Sequence, residues 1–162
     1  MDDTNAQSAP NLSFAPVVRD DWEDLFLLRS LAMQGHIGTL DQVNNDRVKQ
    51  SFFAGMQNDQ ARHILLDGKP IGFAALRRVD KKLWISHLHI HPDYHAHGFG
   101  SIILKDICAE ADKAGMPLHV AALKTSPANR FYQRHGFVRT GEDRWDIFYQ
   151  RPPGGAPGAA PG

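Results

Sequence analysis

Apolar positions along the chain change period several times, and each change marks an element. From Leu83 to Ile90 they fall first as Leu83, Trp84 and Ile85 and then in alternation, His87-Leu88-His89-Ile90. That pattern reads as a strand. Pro92 cannot donate to a ladder and ends it. Beyond Gly98-Phe99-Gly100-Ser101 the period lengthens. Ile103, Ile107, Ala111 and Ala114 fall on one helical face, and Gly115 followed by Pro117 stops the helix. A strand therefore runs through a glycine-bearing turn into a helix.

The same reading places the other elements. Leu12 to Arg19 is a first strand, interrupted at Pro16. Asp20-Asp21-Trp22-Glu23 caps a helix of about Asp21 to Met33, whose face is Trp22, Leu25, Phe26, Arg29 and Met33. Gln34 to Leu40, with Gly35 and Gly38, is a loop, and a weaker helix follows from Asp41 to Met56. Ala61 to Leu66 and Ile71 to Val79 are strands joined at Asp67-Gly68, a hairpin signal. Arg77, Arg78, Lys81 and Lys82 make a basic tip with no aromatic residue interleaved, which reads as a solvated hairpin end. Leu118 to Leu123 is an apolar strand reached through a helix, so it lies parallel to the strand of Leu83 to His91. A short helix, Pro127 to Arg134, and a hairpin of Phe137 to Thr140 with Trp145 to Gln150, turning at Gly141, complete the order. The predicted order is β-α-α-β-β-β-α-β-α-β-β. It describes an α/β (α+β) domain with a mixed sheet of about seven strands over residues 12–151. Residues 1–11 and 152–162 are polar or Pro/Gly/Ala-rich and are expected to be disordered.

Composition narrows the picture. The chain has 162 residues, 18 basic and 18 acidic, so no bulk field draws it to nucleic acid or an anionic membrane. No apolar run reaches membrane-spanning length, and Met1-Asp2-Asp3-Thr4 opens no secretory signal. A cytoplasmic protein is expected. The single cysteine, Cys108, allows no internal disulfide and reads as a small core residue.

The candidate chemistry starts at the strand-to-helix turn. The first N–H groups of a helix have no partner within it, and with the helix dipole they form an anion site. Glycine allows a phosphate to approach the backbone, although a tight turn alone also demands glycine. A Walker A loop would need Gly-Lys-Ser/Thr, which is absent. A dinucleotide fingerprint would need glycine at Ile103 and a turn directly after the strand.

What the stretch Leu88-His89-Ile90-His91-Pro92-Asp93-Tyr94-His95-Ala96-His97-Gly98-Phe99-Gly100 resembles is the signature of the GNAT N-acetyltransferase superfamily, in its bacterial single-domain type. That signature is an apolar strand, a Pro-x-Tyr turn and Arg/Gln-x-x-Gly-x-Gly/Ala opening a helix. Here His95 stands at the Arg/Gln position. A second stretch, Asn129-Arg130-Phe131-Tyr132-Gln133-Arg134-His135-Gly136-Phe137, is similar to the family's asparagine followed by Phe-Tyr-x-x-x-Gly-Phe. The element order also matches the family's fold.

The resemblance implies an acetyl-CoA-dependent N-acetyltransferase that moves an acetyl group to a primary amine by direct attack in a ternary complex. It implies acetyl-CoA as cosubstrate, bound by Leu88, Ile90, His95, His97, Gly98, Phe99, Gly100, Ser101, Asn129 and Tyr132, with the pyrophosphate on the amides of Gly98 to Ser101. Tyr132 would protonate the departing thiolate, a transfer uphill by roughly 2 kcal/mol between ordinary phenol and thiol values. Asn129 would touch the pantetheine arm, with Ser126 as a rival. Family members often carry a glutamate near His89, which makes His89 the candidate base, with His87 beside it. The acceptor, a small molecule or a peptide amine, is not readable, and a homodimer fits the family's habit. Two other classes remain. His87, His89, His91, His95 and His97 suggest a metal-dependent enzyme, since His-x-His on a strand puts imidazoles on one face. A non-catalytic acyl-CoA-binding sensor would keep the loop without turnover. The transferase reading itself requires no metal.

Overall fold

The computed structural model describes residues 11–37 and 45–154. Most of the two termini expected to be disordered, and part of the loop and of the second helix's expected start, lie outside these residues. The elements run in the order β1 (Leu12–Pro16), α1 (Trp22–Ile37), α2 (Asp46–Met56), β2 (Gln60–Leu66), β3 (Lys69–Val79), β4 (Lys82–Ile90), α3 (Phe99–Ala114), β5 (Leu118–Leu123), α4 (Ala128–Arg134), β6 (Val138–Glu142) and β7 (Asp146–Arg151). The seven strands form one sheet in the order β1-β2-β3-β4-β5-β7-β6. Only β4 and β5 are parallel, because α3 carries the chain back between them; the other neighbours pair antiparallel.

Each face of the sheet has its own apolar cluster. On one face Ile103, Leu104, Ile107, Cys108 and Ala111 of α3 pack on Ile71, Leu76, Leu83, Ile85, Leu118, Val120 and Tyr149. On the other Leu25 and Phe26 of α1 meet Phe52 and Met56 of α2 over Phe73. Cys108 is buried and free, as a small core residue.

Two boundaries and one side-chain environment differ from the sequence reading, each for a local reason. Helix α1 runs through Gly35 to Ile37, where a loop was expected. A glycine inside a helix costs about 1 kcal/mol, which an otherwise uninterrupted helix can carry. Gly141 lies inside β6, at a register shift opposite β7, and not at the hairpin turn. The turn is made by Asp143, whose Oδ1 accepts hydrogen bonds from Trp145 N at 2.9 Å and Asp146 N at 2.8 Å. Arg77, read as part of a solvated tip, is tied down: its Nε donates to Asp59 Oδ1 at 2.7 Å and its Nη2 to Gly55 O at 3.0 Å.

The relation of β4 to its two neighbours sets up the site. Against β3, Ile85 pairs with Leu76 and His87 with Ala75, so Ser86 is left over as a bulge. A bulge flips the parity of the strand. Leu83 and Ile85 belong to the α3-side core, and beyond the bulge Leu88 and Ile90 face it instead. Against β5, β4 pairs only from Leu83 to Ile85, opposite Leu118 to Val120. Past those residues the two strands part and leave a slot between them.

Candidate active site

The slot is a cavity of about 870 Å³. Beyond the bulge, the residues of β4 with their backs to α3 face α1. His87 packs on Phe52 and Phe73 at ring distances of 5.1 and 5.6 Å, so Arg29, Met33, His87 and His89 line the α1 side. Gly98 to Ser101, Phe131 and Tyr132 line the α3 side. The sequence reading missed Arg29, Met33, Ser86 and Asp146, which the fold also brings to the slot. No spacing pattern could have found them, since they come from α1, the bulge and β7.

At one end lies the start of α3. Gly98 is the residue before the helix, with φ of +80°, a conformation that costs a side chain energy and glycine none. The first backbone bond of the helix runs from Ile102 N to Gly98 O. The amides of Phe99, Gly100 and Ser101 therefore have no helical acceptor and form an anion-binding end on a sixteen-residue helix. Gly100 packs against the Phe131 ring: a Cβ there would sit 3.5 Å from Phe131 Cζ, ordinary contact.

Of the residues named from sequence, Leu88, His89, Ile90, His95, Gly98, Phe99, Gly100, Ser101 and Tyr132 line this one slot. Two do not. His97 is exposed and lies against the Phe99 ring at 5.5 Å. Asn129 has its amide turned into the protein. Nδ2 donates to Leu123 O and Ser126 O, both at 2.8 Å, and Oδ1 accepts from the Tyr149 hydroxyl at 2.7 Å. Its rival Ser126 does line the slot, although its hydroxyl accepts from Ala128 N at 3.0 Å. His95 Nε2 donates to Ile90 O at 2.6 Å, which turns that nitrogen away from the slot's contents. The Ser101 hydroxyl is paired with His135 Nε2 at 3.0 Å.

Tyr132 is 6 % exposed and held by the rings of Phe131 and Phe137, each 5.3 Å away. Burial pushes its phenol above the ordinary value, so it is protonated at neutral pH. Its hydroxyl makes no hydrogen bond to the described residues and stands at the slot. His87 Nδ1 and His89 Nε2 are 3.4 Å apart. Burial, with the charges of Arg29 and Arg77, lowers His87 to about 3. Burial, then His87 and Arg29, holds His89 well below the usual histidine range. Both are neutral at pH 7.

The histidine-rich stretch does not converge on a metal. Among the described residues no group of three or more His, Cys, Asp or Glu side chains is arranged to hold one. His91 Nδ1 accepts from Asp93 N at 3.1 Å, His95 Nε2 is engaged with Ile90 O, and His97 lies against the Phe99 ring. Nor is any described helix long and apolar enough to cross a membrane.

Comparison with known proteins agrees with this geometry. Residues 59–139 match the family model described as acetyltransferase (GNAT) domain. No curated protein matches. Solved structures share the fold at low identity. A PaiA N-acetyltransferase from Thermoplasma acidophilum in complex with coenzyme A has a TM-score of 0.69 at 15 % identity, covering 88 % of this chain and 99 % of that one. The ribosomal-protein-S18-alanine N-acetyltransferase of Escherichia coli gives 0.67 at 18 %, covering 88 % and 94 %. A GNAT family acetyltransferase from Elizabethkingia anophelis with acetyl-CoA bound gives 0.66 at 16 %, covering 88 % and 98 %. The matched span runs from the loop before β2 to the second residue of β6 and so contains the whole bulged strand and the helix start beside it: this chain belongs to the GNAT acetyltransferase family.

Proposed function

We propose that the protein is an acetyl-CoA-dependent N-acetyltransferase that acetylates a primary amine by direct attack in a ternary complex. The observation that carries this reading is the slot between β4 and β5, which ends at one side on three helix amides without acceptors. Coenzyme A complexes among the structural neighbours support acetyl-CoA as the ligand. The pyrophosphate would take the amides of Phe99 to Ser101, with Gly98 giving the turn. The pantetheine arm would lie along Leu88, Ile90 and the β5 edge, reaching toward the point where the strands rejoin at Ile85 and Val120. The amine would enter from the α1 side.

Tyr132 would protonate the leaving sulfur. Its raised value keeps the proton on the phenol until a stronger base appears. The dry surroundings that raise the phenol also raise a thiolate formed beside it, so the mismatch with the thiol does not widen. The acceptor must lose a proton before or during attack. His89 is unprotonated and faces the α1 side, which fits a base. Its lowered value makes it a weak one, suited to the acidic N–H of the tetrahedral adduct rather than to a free ammonium. The amine's own ammonium form is disfavoured by the same burial and by Arg29.

Thiol release from acetyl-CoA with a panel of primary amines tests the proposal. Amine-dependent release supports it. Tight acetyl-CoA binding with no turnover on any amine would leave the non-catalytic sensor reading. A pH–rate profile for His89→Gln with an unchanged acidic limb would remove His89 as the base.

A further inference from the structure

Asp146 is the acidic residue that lines the slot. It opens β7 and pairs in register with Leu123 of β5. Along β7, Ile147 and Tyr149 pack on the α3-side core, so Asp146 belongs to the opposite face, the one on which α1 lies. Its carboxylate makes no hydrogen bond or ion pair with the described residues. Only its backbone is engaged, through Asp143. Three cations of the neighbouring segments are engaged elsewhere. Lys124 and Arg139 both pair with Glu142, and Arg144 lies over the Trp145 ring at 4.9 Å. Partial burial raises the value of Asp146, and repulsion from Asp143 adds to that. Asp146 is thus a half-buried carboxylate inside a cleft with no ion-pair partner among the described residues.

The reacting amine cannot be the group it serves. In the reading proposed above, the thioester reaches toward Ile85 and Val120, where the strands rejoin. Leu123 is three residues further along β5, on the order of 10 Å at strand spacing. A second group of the acceptor falls there, and an uncompensated carboxylate asks for a cation. Arg29 of α1, whose charge acts on both histidines, disfavours a cation beside them.

We propose that Asp146 is a specificity-determining residue that docks a second, positively charged group of the acceptor, so that the protein prefers diamines or basic amines to neutral-tailed monoamines. This rests on the N-acetyltransferase reading. The carboxylate is well placed to be changed, since Asp143 and not Asp146 holds the turn.

The test compares α,ω-diamines of increasing length with the monoamines of equal length, using acetyl-CoA and thiol release. The wild type is expected to favour a diamine in kcat/KM by at least about tenfold, the size of one charge-assisted contact. In Asp146→Asn that ratio falls toward one, while Asp146→Glu restores part of it. Asp146→Lys turns the preference toward ω-amino acids, whose far end is a carboxylate. Thermal melts of each variant confirm folding. Equal kcat/KM for diamine and monoamine in the wild type, or an undiminished ratio in Asp146→Asn, overturns the inference and leaves the transferase reading standing. Absence of transfer to every amine overturns both.

Discussion

The Tyr149 hydroxyl donates to Asn129 Oδ1 at 2.7 Å, and this contact fixes what Asn129 does. With both N–H groups on the carbonyls of Leu123 and Ser126, the side chain stitches α4 to β5 and β7. Any effect of Asn129 on the slot passes through the loop it braces. Asn129→Ala should cost about 1–3 kcal/mol of stability, because it strands two carbonyls and a phenol. A double-mutant cycle with Tyr149→Phe, read by urea denaturation, should show clear coupling. Additive losses would mean the two residues act apart.

Tyr132→Phe removes one hydroxyl from a well-packed ring. We expect kcat to fall by about 10²-fold or more, with the dissociation constant for acetyl-CoA changed by less than about threefold. Calorimetry alongside steady-state kinetics separates the two. An equal loss in both would count against the acid role.

Gly100 tests the cofactor end by size. A methyl group has room beside Phe131, so Gly100→Ala should keep acetyl-CoA binding within a few fold. Gly100→Trp should abolish it while the fold survives, because the indole would occupy the space above the helix amides. Fluorescence titration of the folded variants with coenzyme A decides.

Gly72 sets the closeness of β3 to β4. A Cβ at this position would lie 2.3 Å from His89 O and 3.0 Å from Ile90 Cα, both backbone atoms that cannot swing aside. Gly72→Ala should therefore destabilise the protein by roughly 1–3 kcal/mol and shift the histidine strand. Its melting temperature gives the answer.

Acid should loosen the fold below neutrality. His87 is near 6.5 in the unfolded chain and about 3 in the folded one, so the unfolded state binds the proton first. Stability is full above about pH 6.5 and falls as pH drops toward 3, by about 2 kcal/mol at pH 5 for this residue alone. Urea midpoints measured between pH 7 and pH 5 should show the slope, and His87→Gln should flatten it. A slope unchanged in that variant would mean His87 is not buried as described.

Much of the architecture was legible in the chain because it is local. Alternation around Leu88, the Asp67-Gly68 hairpin, and the glycines that start and stop α3 follow from period and backbone freedom, and these need no distant partner. The glycine turn opening a helix is likewise local, and its pattern of neighbours carried the resemblance to the family, from which the proposed anion site follows. The parity switch between Ile85 and Leu88 was also written there, as a change from odd to even apolar positions, yet only pairing with β3 turns it into a bulge at Ser86. Gly141 shows the opposite limit. A glycine reads as a turn unless its partner strand is known, and Asp143 made the turn instead.

The sequence alone determined the elements, the one parallel pair and the helix end that can hold a diphosphate, since each depends on residues close together along the chain. Tertiary structure alone decided which polar side chains reach the slot. It turned Asn129 inward onto Tyr149, buried His87 and His89 into neutrality beside Arg29, and set Asp146 in the slot with no partner among the described residues. Those outcomes depend on desolvation and on charges contributed by α1, β4 and β7, distances that no spacing in the chain records.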